Sequence, residues 1–179
     1  MSDAVTAMLA VLAVVAQVSL AAFAAVLLLR LAGVRGPLRA VRDTLAGTEL
    51  WLAFLVALVA TSGSLFFSEI QHFVPCKLCW FQRIAMYPLV LLALPAFFGD
   101  RLAARWFLPL PVVGLGVSLW HILVERGVVE DTQSCRISAP GGCATKWIEE
   151  LGYVTIPTLA ATAFALIAIL LALAAARQR

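Results

Sequence analysis

Five long apolar runs constrain this chain more than any other feature of it. They lie at about 5–31, 50–67, 79–98, 106–124 and 154–176. A helix rises about 1.5 Å per residue, so about 20 apolar residues cross the roughly 30 Å hydrocarbon layer of a bilayer. Inside lipid the backbone must satisfy its own hydrogen bonds, and a helix does this within a single segment. The expected fold class is therefore an all-α membrane protein with five spans. Composition agrees, because 63% of the 179 residues are apolar and only 13% are charged, outside the range of soluble domains. The third run is the most instructive. From Ile84 to Phe98 it is too short to span, and it reaches full length only if helix starts near Cys79. The first run lacks a basic start and exceeds the 7–15 apolar residues of a signal peptide. It reads as a retained helix, joined to the rest by the Gly/Arg-rich segment 33–47.

Orientation follows from lysine and arginine. One set of ends and connections holds Arg30, Arg35, Arg39, Arg42, Arg101, Arg105, Arg177 and Arg179, with few acids. The other holds Lys77, Arg83, Arg126, Arg136 and Lys146, diluted by Glu69, Glu125, Glu130, Asp131, Glu149 and Glu150. The first set is expected on the cytoplasmic side, which puts the N-terminus outside, the C-terminus inside and all four cysteines outside, where disulfides persist. The net charge of +3 reflects this bias and gives no ground for a nucleic-acid partner.

Cys76-Lys77-Leu78-Cys79 sits where the third span opens, so its thiols are expected at the headgroup level. A C-x-x-C pair serves redox exchange or zinc binding. Pro75 suits a helix start, and the positive end of the helix dipole favours a thiolate at Cys79. Arg83 lies one turn beyond Cys79 on the same face, placed to support a thiolate or the oxygen of a bound acceptor. The plainer alternative is an arginine snorkelling to the interface. Cys135 and Cys143 flank Pro140-Gly141-Gly142, a turn able to bring them together, though the sequence alone does not fix their pairing. After them, Trp147, Ile148 and Leu151 would share one face of a short helix over 145–151, stopped by Gly152 and lying on the membrane. His121, near the outer end of the fourth span, is either functional or a hydrated interfacial histidine. Trp80 and Trp120 fit an aromatic belt. Gly114-x-Gly116 and Thr61-Ser62-Gly63-Ser64 fit close helix packing.

Making a new disulfide removes two electrons and two protons, whereas exchange only moves a bond. The sequence has no flavin or nicotinamide fingerprint, and Trp80 after Cys79 excludes a C-x-x-C-H haem site. A dithiol at the lipid boundary beside a cation suits an acceptor dissolved in the bilayer, and a quinone fits. The competing class is a non-enzymatic scaffold or transporter component with structural disulfides or a four-cysteine zinc site. The second cysteine pair lacks zinc-ribbon spacing.

These residues closely resemble the DsbB family of bacterial disulfide-bond formation proteins. Gly63-Ser64-Leu65-Phe66-Phe67-Ser68-Glu69, leading into Pro75-Cys76-Lys77-Leu78-Cys79-Trp80-Phe81-Gln82-Arg83 and Met86-Tyr87-Pro88, resembles its first outer loop and second core span. Trp120-His121, the Cys135/Cys143 loop, Trp147 and Thr155-Ile156-Pro157 resemble its later half. The resemblance implies a four-helix bundle over 50–179 around a quinone pocket (ubiquinone or menaquinone), in a bacterial inner membrane. The helix in 1–33 and the basic cytoplasmic linker 34–49 are then additions. It implies that Cys76 and Cys79 are the quinone-side dithiol, that Arg83 and His121 belong to the quinone site, and that Cys135 and Cys143 form the shuttle disulfide oxidising a DsbA-like thioredoxin-fold partner. No metal is implied. The close spacing of the shuttle cysteines is similar to the compact-loop branch. The related vitamin K epoxide reductases place their C-x-x-C after the loop cysteines, the reverse of the order here.

Overall fold

The computed structural model describes residues 2–98, 103–137 and 139–177. Arg101 and Arg179, two members of the basic set, lie outside the described residues. Helix α1 (Ser2–Leu31) is followed by α2 (Gly36–Thr44) and by α3 (Glu49–Leu65), which widens into a π turn at Phe66–Ile70. Helix α4 (Lys77–Met86) tightens into a 3₁₀ stretch at Tyr87–Leu92 and continues as α5 (Ala93–Phe98). Then come α6 (Ala103–Phe107), α7 (Pro109–Glu125), α8 (Gln133–Arg136), a 3₁₀ turn at Gly142–Ala144, and α9 (Ile156–Ala176). Five helical segments are long and apolar enough to cross a membrane: Ala4–Leu31, Glu49–Ile70, Lys77–Phe98, Ala103–Glu125 and Ile156–Ala176. They correspond to the five runs, and the chain is an all-α membrane protein.

Prolines explain the interruptions. Pro88 has no N–H to donate and crowds the preceding turn, and the backbone passes it as a 3₁₀ stretch without leaving the span. Pro109 lies in the first turn of α7, where a missing N–H costs nothing.

Helix α9 is the centre of the bundle, with 44% of its most apolar window buried against 6% for α1. Phe164, Ile167 and Leu171 are fully buried and pack with Ala53 and Ala57 of α3 and with Leu89 and Leu92. Lipid tails are as apolar as leucine, so close packing rather than the hydrophobic effect holds such helices together. The alanines let α3 approach closely. Gly114 of α7 does the same more strictly, since a Cβ there would lie 2.4 Å from the Phe164 ring. Gly116 has nothing within 4 Å, so of the Gly114-x-Gly116 pair only the first is a packing glycine.

Polar ties close both ends. At one, buried Glu49 pairs with Arg177 at 3.0 Å and accepts the Gly47 N–H at 2.8 Å. Arg177 also donates to the Arg42 carbonyl. The segment expected as a linker thus contains α2, and it docks on the end of α9. At the other end Thr155 and Thr158 form a capping box for α9, and Thr155 donates to Glu125 at 2.7 Å. Helix α1 packs on the outside, with Ala10 and Ala13 buried near Val154 and Leu159.

One expected element is absent. Residues 145–151 form no helix; the chain runs irregularly into a tight turn closed by a bridge between Glu150 and Val154. Leu151 and Gly152 both take positive φ, 55° and 75°, so Gly152 serves this turn and does not stop a helix. Trp147 instead stacks on Phe73, centroids 5.0 Å apart. A stack with a ring from another loop outweighs a seven-residue amphipathic pattern, because so short a helix has little stability of its own.

Gly114→Ala is expected to destabilise the bundle by about 1–3 kcal/mol through overpacking against Phe164, seen as a lower thermal midpoint in detergent. Gly116→Ala should leave the midpoint where it is.

Candidate active site

Cys76 is the N-cap of α4, with extended backbone (φ −72°, ψ 173°), and Cys79 sits in the first turn. Pro75 therefore precedes the cap instead of occupying the first turn. The two sulfurs are 3.3 Å apart and share a hydrogen bond. They face different surroundings. Cys79 lines an apolar groove of about 440 Å³, within the size range of small-molecule sites. Cys76 is 3% exposed and packs with Val124, Cys135, Ala139 and Cys143.

The groove lies between α1, α3, α4 and α9, and Ser64, Gln82 and Arg83 line it together with Cys79. Arg83 donates from Nε to Ser64 Oγ and from Nη2 to the Ser64 carbonyl, both at 3.0 Å. Its guanidinium also lies 5.3 Å from the centroid of Trp80. Two bonds and a ring fix the fork in one orientation, a constraint that a lysine ammonium does not share. Ser64 stands next to the point where α3 widens into its π turn. Phe67, Phe73 and Trp147 stack in series over one end of the groove.

His121 is 3% exposed and does not line this groove. Its Nε2 lies 3.0 Å from the Cys143 carbonyl and 3.7 Å from Cys76 Sγ. Its Nδ1 lies 3.3 Å from Gln82 Nε2. The histidine thus stands between the first thiol and the loop.

In that loop Cys135 and Cys143 form a disulfide, Cα atoms 5.4 Å apart. The turn depends on Gly141 and Gly142, whose φ values are +78° and +74°. A Cβ on Gly142 would meet Asp131 Oδ2 at 2.2 Å. Asp131 Oδ2 accepts the Cys143 N–H at 3.0 Å, and its other oxygen is buried without a hydrogen bond. In this pairing Cys135 and Cys143 offer no thiolates to a metal. The remaining close set is Cys76, Cys79 and His121, with ligand atoms within 4.8 Å of one another.

Cys76 is held well below the usual thiol range, at about 4. The hydrogen bond shared with Cys79 is the largest cause; burial opposes it, and His121 adds to it. Helix-end reasoning placed the thiolate at Cys79, whereas the geometry favours it at the cap. Sequence reasoning also missed Ser64, Gln82 and Asp131 as parts of the site. For Gln82 there was a signal, since a lone amide in an apolar span needs a partner.

The sequence pattern of the family described as "Disulfide bond formation protein DsbB" matches residues 48–174. The chain belongs to this family. It is 48% identical over 132 residues to a "Probable disulfide formation protein" of Deinococcus radiodurans, covering 69% of this chain and 86% of the relative. It is 42% identical over 126 residues to "Disulfide bond formation protein C" of Bacillus subtilis, covering 69% and 90%. A further "Probable disulfide formation protein", from Metapseudomonas resinovorans, is 40% identical over 124 residues, covering 68% and 85%. No solved structure matches the chain at a significant level. As a DsbB-family member with five spanning helices, the protein is a multi-pass bacterial membrane thiol oxidoreductase of disulfide formation.

The reduced Cys76/Cys79 pair should show thiolate ultraviolet absorbance at pH 6, since a pKa near 4 leaves Cys76 as thiolate there. The absorbance is lost as pH falls through that value. Cys79→Ala removes the main stabilising hydrogen bond, so the Cys76 pKa should rise towards the ordinary 8.5 and the absorbance at pH 6 should fall. A pH series of absorbance spectra measures this.

Proposed function

We propose that the protein reoxidises an extracytoplasmic, DsbA-like thioredoxin-fold dithiol protein and passes the electrons to a membrane quinone, ubiquinone or menaquinone. The observation that carries this reading is the divided exposure of one thiol pair. Cys79 looks into a lipid-level groove beside Arg83, while Cys76 is buried with the Cys135–Cys143 disulfide.

The exchanges balance along these four sulfurs. A partner thiolate attacks Cys135, the Cys135–Cys143 bond breaks, and Cys143 leaves as a thiolate. Cys143 attacks Cys76 of the oxidised pair, and Cys79 leaves towards the groove. The partner's second thiol closes its own disulfide and frees Cys135. Cys135 then attacks Cys143, which restores the loop disulfide and releases Cys76. A low thiol pKa makes Cys76 a good leaving group in that last exchange. The outcome is a loop disulfide beside a Cys76/Cys79 dithiol, which is the arrangement described above. A quinone in the groove would accept the two electrons and two protons of that dithiol. Cys79, Arg83 and Ser64 would hold its polar end, and the apolar lining of the groove suits the rest of such a molecule. His121 acts at Cys76 and the loop on this reading, because its ring contacts those two and lies outside the groove lining.

The arginine distribution supports a cytoplasmic C-terminus and four extracytoplasmic cysteines in a bacterial plasma membrane. One experiment tests sidedness and relay together. Sealed right-side-out vesicles containing the protein and a quinone should oxidise an added reduced thioredoxin-fold protein, and inverted vesicles should do so only after permeabilisation. Cys135→Ala should abolish this oxidation yet keep a Cys76–Cys79 bond that quinone regenerates after chemical reduction, and Cys79→Ala should lose quinone reduction from any donor. Normal partner turnover in either variant, or activity confined to sealed inverted vesicles, rejects the scheme. A stoichiometric zinc content in the purified protein would favour the scaffold reading instead.

Arg83 gives a sharper test of the groove. Arg83→Lys keeps the charge and loses the paired donation to Ser64, so KM for quinone should rise. Arg83→Ala should raise it further, by about tenfold, or about 1.4 kcal/mol. Unchanged KM in both would leave Arg83 a snorkelling cation.

A further inference from the structure

Helix α1 lies outside the part of the chain that matches the DsbB family, which begins at residue 48. The matched region takes in 90% of the Bacillus subtilis relative, leaving that protein too few residues for another span of about 20. Yet α1 is not a detached anchor. Gln17 donates to Thr162 of α9 at 3.2 Å and accepts from the Tyr153 hydroxyl at 2.8 Å. These two bonds tie α1 to α9 and to the turn that precedes it, and so set the rotation of α1. On the other side, Gly63 of α3 leaves only 3.2 Å between a would-be Cβ and the Leu9 side chain. Gly63 is the neighbour of Ser64, which holds Arg83. Helix α1 therefore lies across the opening between α3 and α9, and the groove runs along it. Leu12, Ala16 and Ser19, three and four residues apart and so on one face, line the groove together with Leu55, Val59 and Leu166.

We infer that α1 is the outer wall of the acceptor site and clasps the isoprenoid chain of the bound quinone, leaving the ring to Cys79 and Arg83. The inference rests on the quinone reading above and adds a specificity element to it. The occupant is set by position and chemistry. The α1 part of the lining is apolar apart from Ser19, whose hydroxyl is already bonded to the Val15 carbonyl at 2.9 Å, so this wall recognises hydrocarbon and not a polar headgroup. It is continuous with the polar corner at Cys79, as the tail of a quinone is continuous with its ring. Ala16 is small where the wall faces the groove, which leaves room for a chain.

The test is equilibrium binding to the full-length protein in nanodiscs, read by tryptophan fluorescence quenching, with long-tailed ubiquinone and menaquinone and the tail-less ring analogue of each. Ala16→Phe fills the wall and should raise the Kd of the long-tailed quinone about tenfold, about 1.4 kcal/mol, while that of the ring analogue changes less than twofold. Val18→Phe, on the lipid side of α1 (64% exposed), should alter neither. A photoreactive benzophenone amino acid at Leu12 should cross-link to the long-tailed quinone. The ratio of the tailed to the tail-less Kd within one variant is insensitive to any loss of folded protein. The inference is overturned if Ala16→Phe leaves that ratio at the parent value, or if Val18→Phe shifts it equally. If the parent binds neither quinone, the acceptor reading fails and the inference falls with it. A parent that binds a long-tailed quinone and its ring analogue, with an unmoved ratio in Ala16→Phe, rejects the role of α1 alone.

Discussion

The site depends on where a helix begins. With Cys76 as the cap and Cys79 in the first turn, two thiols 3.3 Å apart open onto two environments. One is packed beneath a loop disulfide, and the other looks into an apolar groove. Had α4 started a turn earlier, both sulfurs would project from regular helix and lose this division. The length of the third span fixes the start, since the segment cannot cross a bilayer unless helix reaches back to the C-x-x-C. The membrane thus sets the register of the chemistry.

The second constraint is that lipid offers polar groups no partner. Several polar side chains carried into this bundle are accordingly tied to another part of the fold. Arg83 is held by Ser64, Gln82 meets His121, Gln17 joins Thr162 and Tyr153, and Glu49 takes Arg177. These ties join elements distant in sequence, so they orient helices that apolar packing alone would leave free to rotate. The groove inherits its shape from them, because Arg83 and Gln82 line it.

The spans, the helix mouth and the position of Arg83 were legible in the sequence because each rests on a local quantity: run length, a cap, an offset of four. The partners were not. Ser64 lies 19 residues before Arg83, and Gln82 lies 39 before His121. No periodicity links such pairs. The Thr61–Ser64 stretch read as close packing, which Gly63 fulfils against Leu9, but the role of Ser64 as the arginine's anchor left no mark. The helix expected over 145–151 failed for the same reason in reverse. Its local pattern was real, but the Phe73 ring that captures Trp147 comes from the connection between α3 and α4.

The contacts of His121 also decide which proton it carries. The Cys143 carbonyl can only accept, so in the neutral ring the hydrogen sits on Nε2 and points at that oxygen, 3.0 Å away. Nδ1 is then the acceptor and takes the Gln82 amide N–H, so the second contact enforces the same tautomer. The same Nε2–H lies 3.7 Å from Cys76 Sγ. Towards Cys76, then, the ring is a donor and not a base, and it favours the sulfur as thiolate. Because one hydrogen serves both the Cys143 carbonyl and Cys76, the loop and the cap of α4 are held to a common point. A histidine so engaged ties Cys76 to the Cys135–Cys143 loop, and Gln82, bonded to its other ring nitrogen, holds it in that orientation.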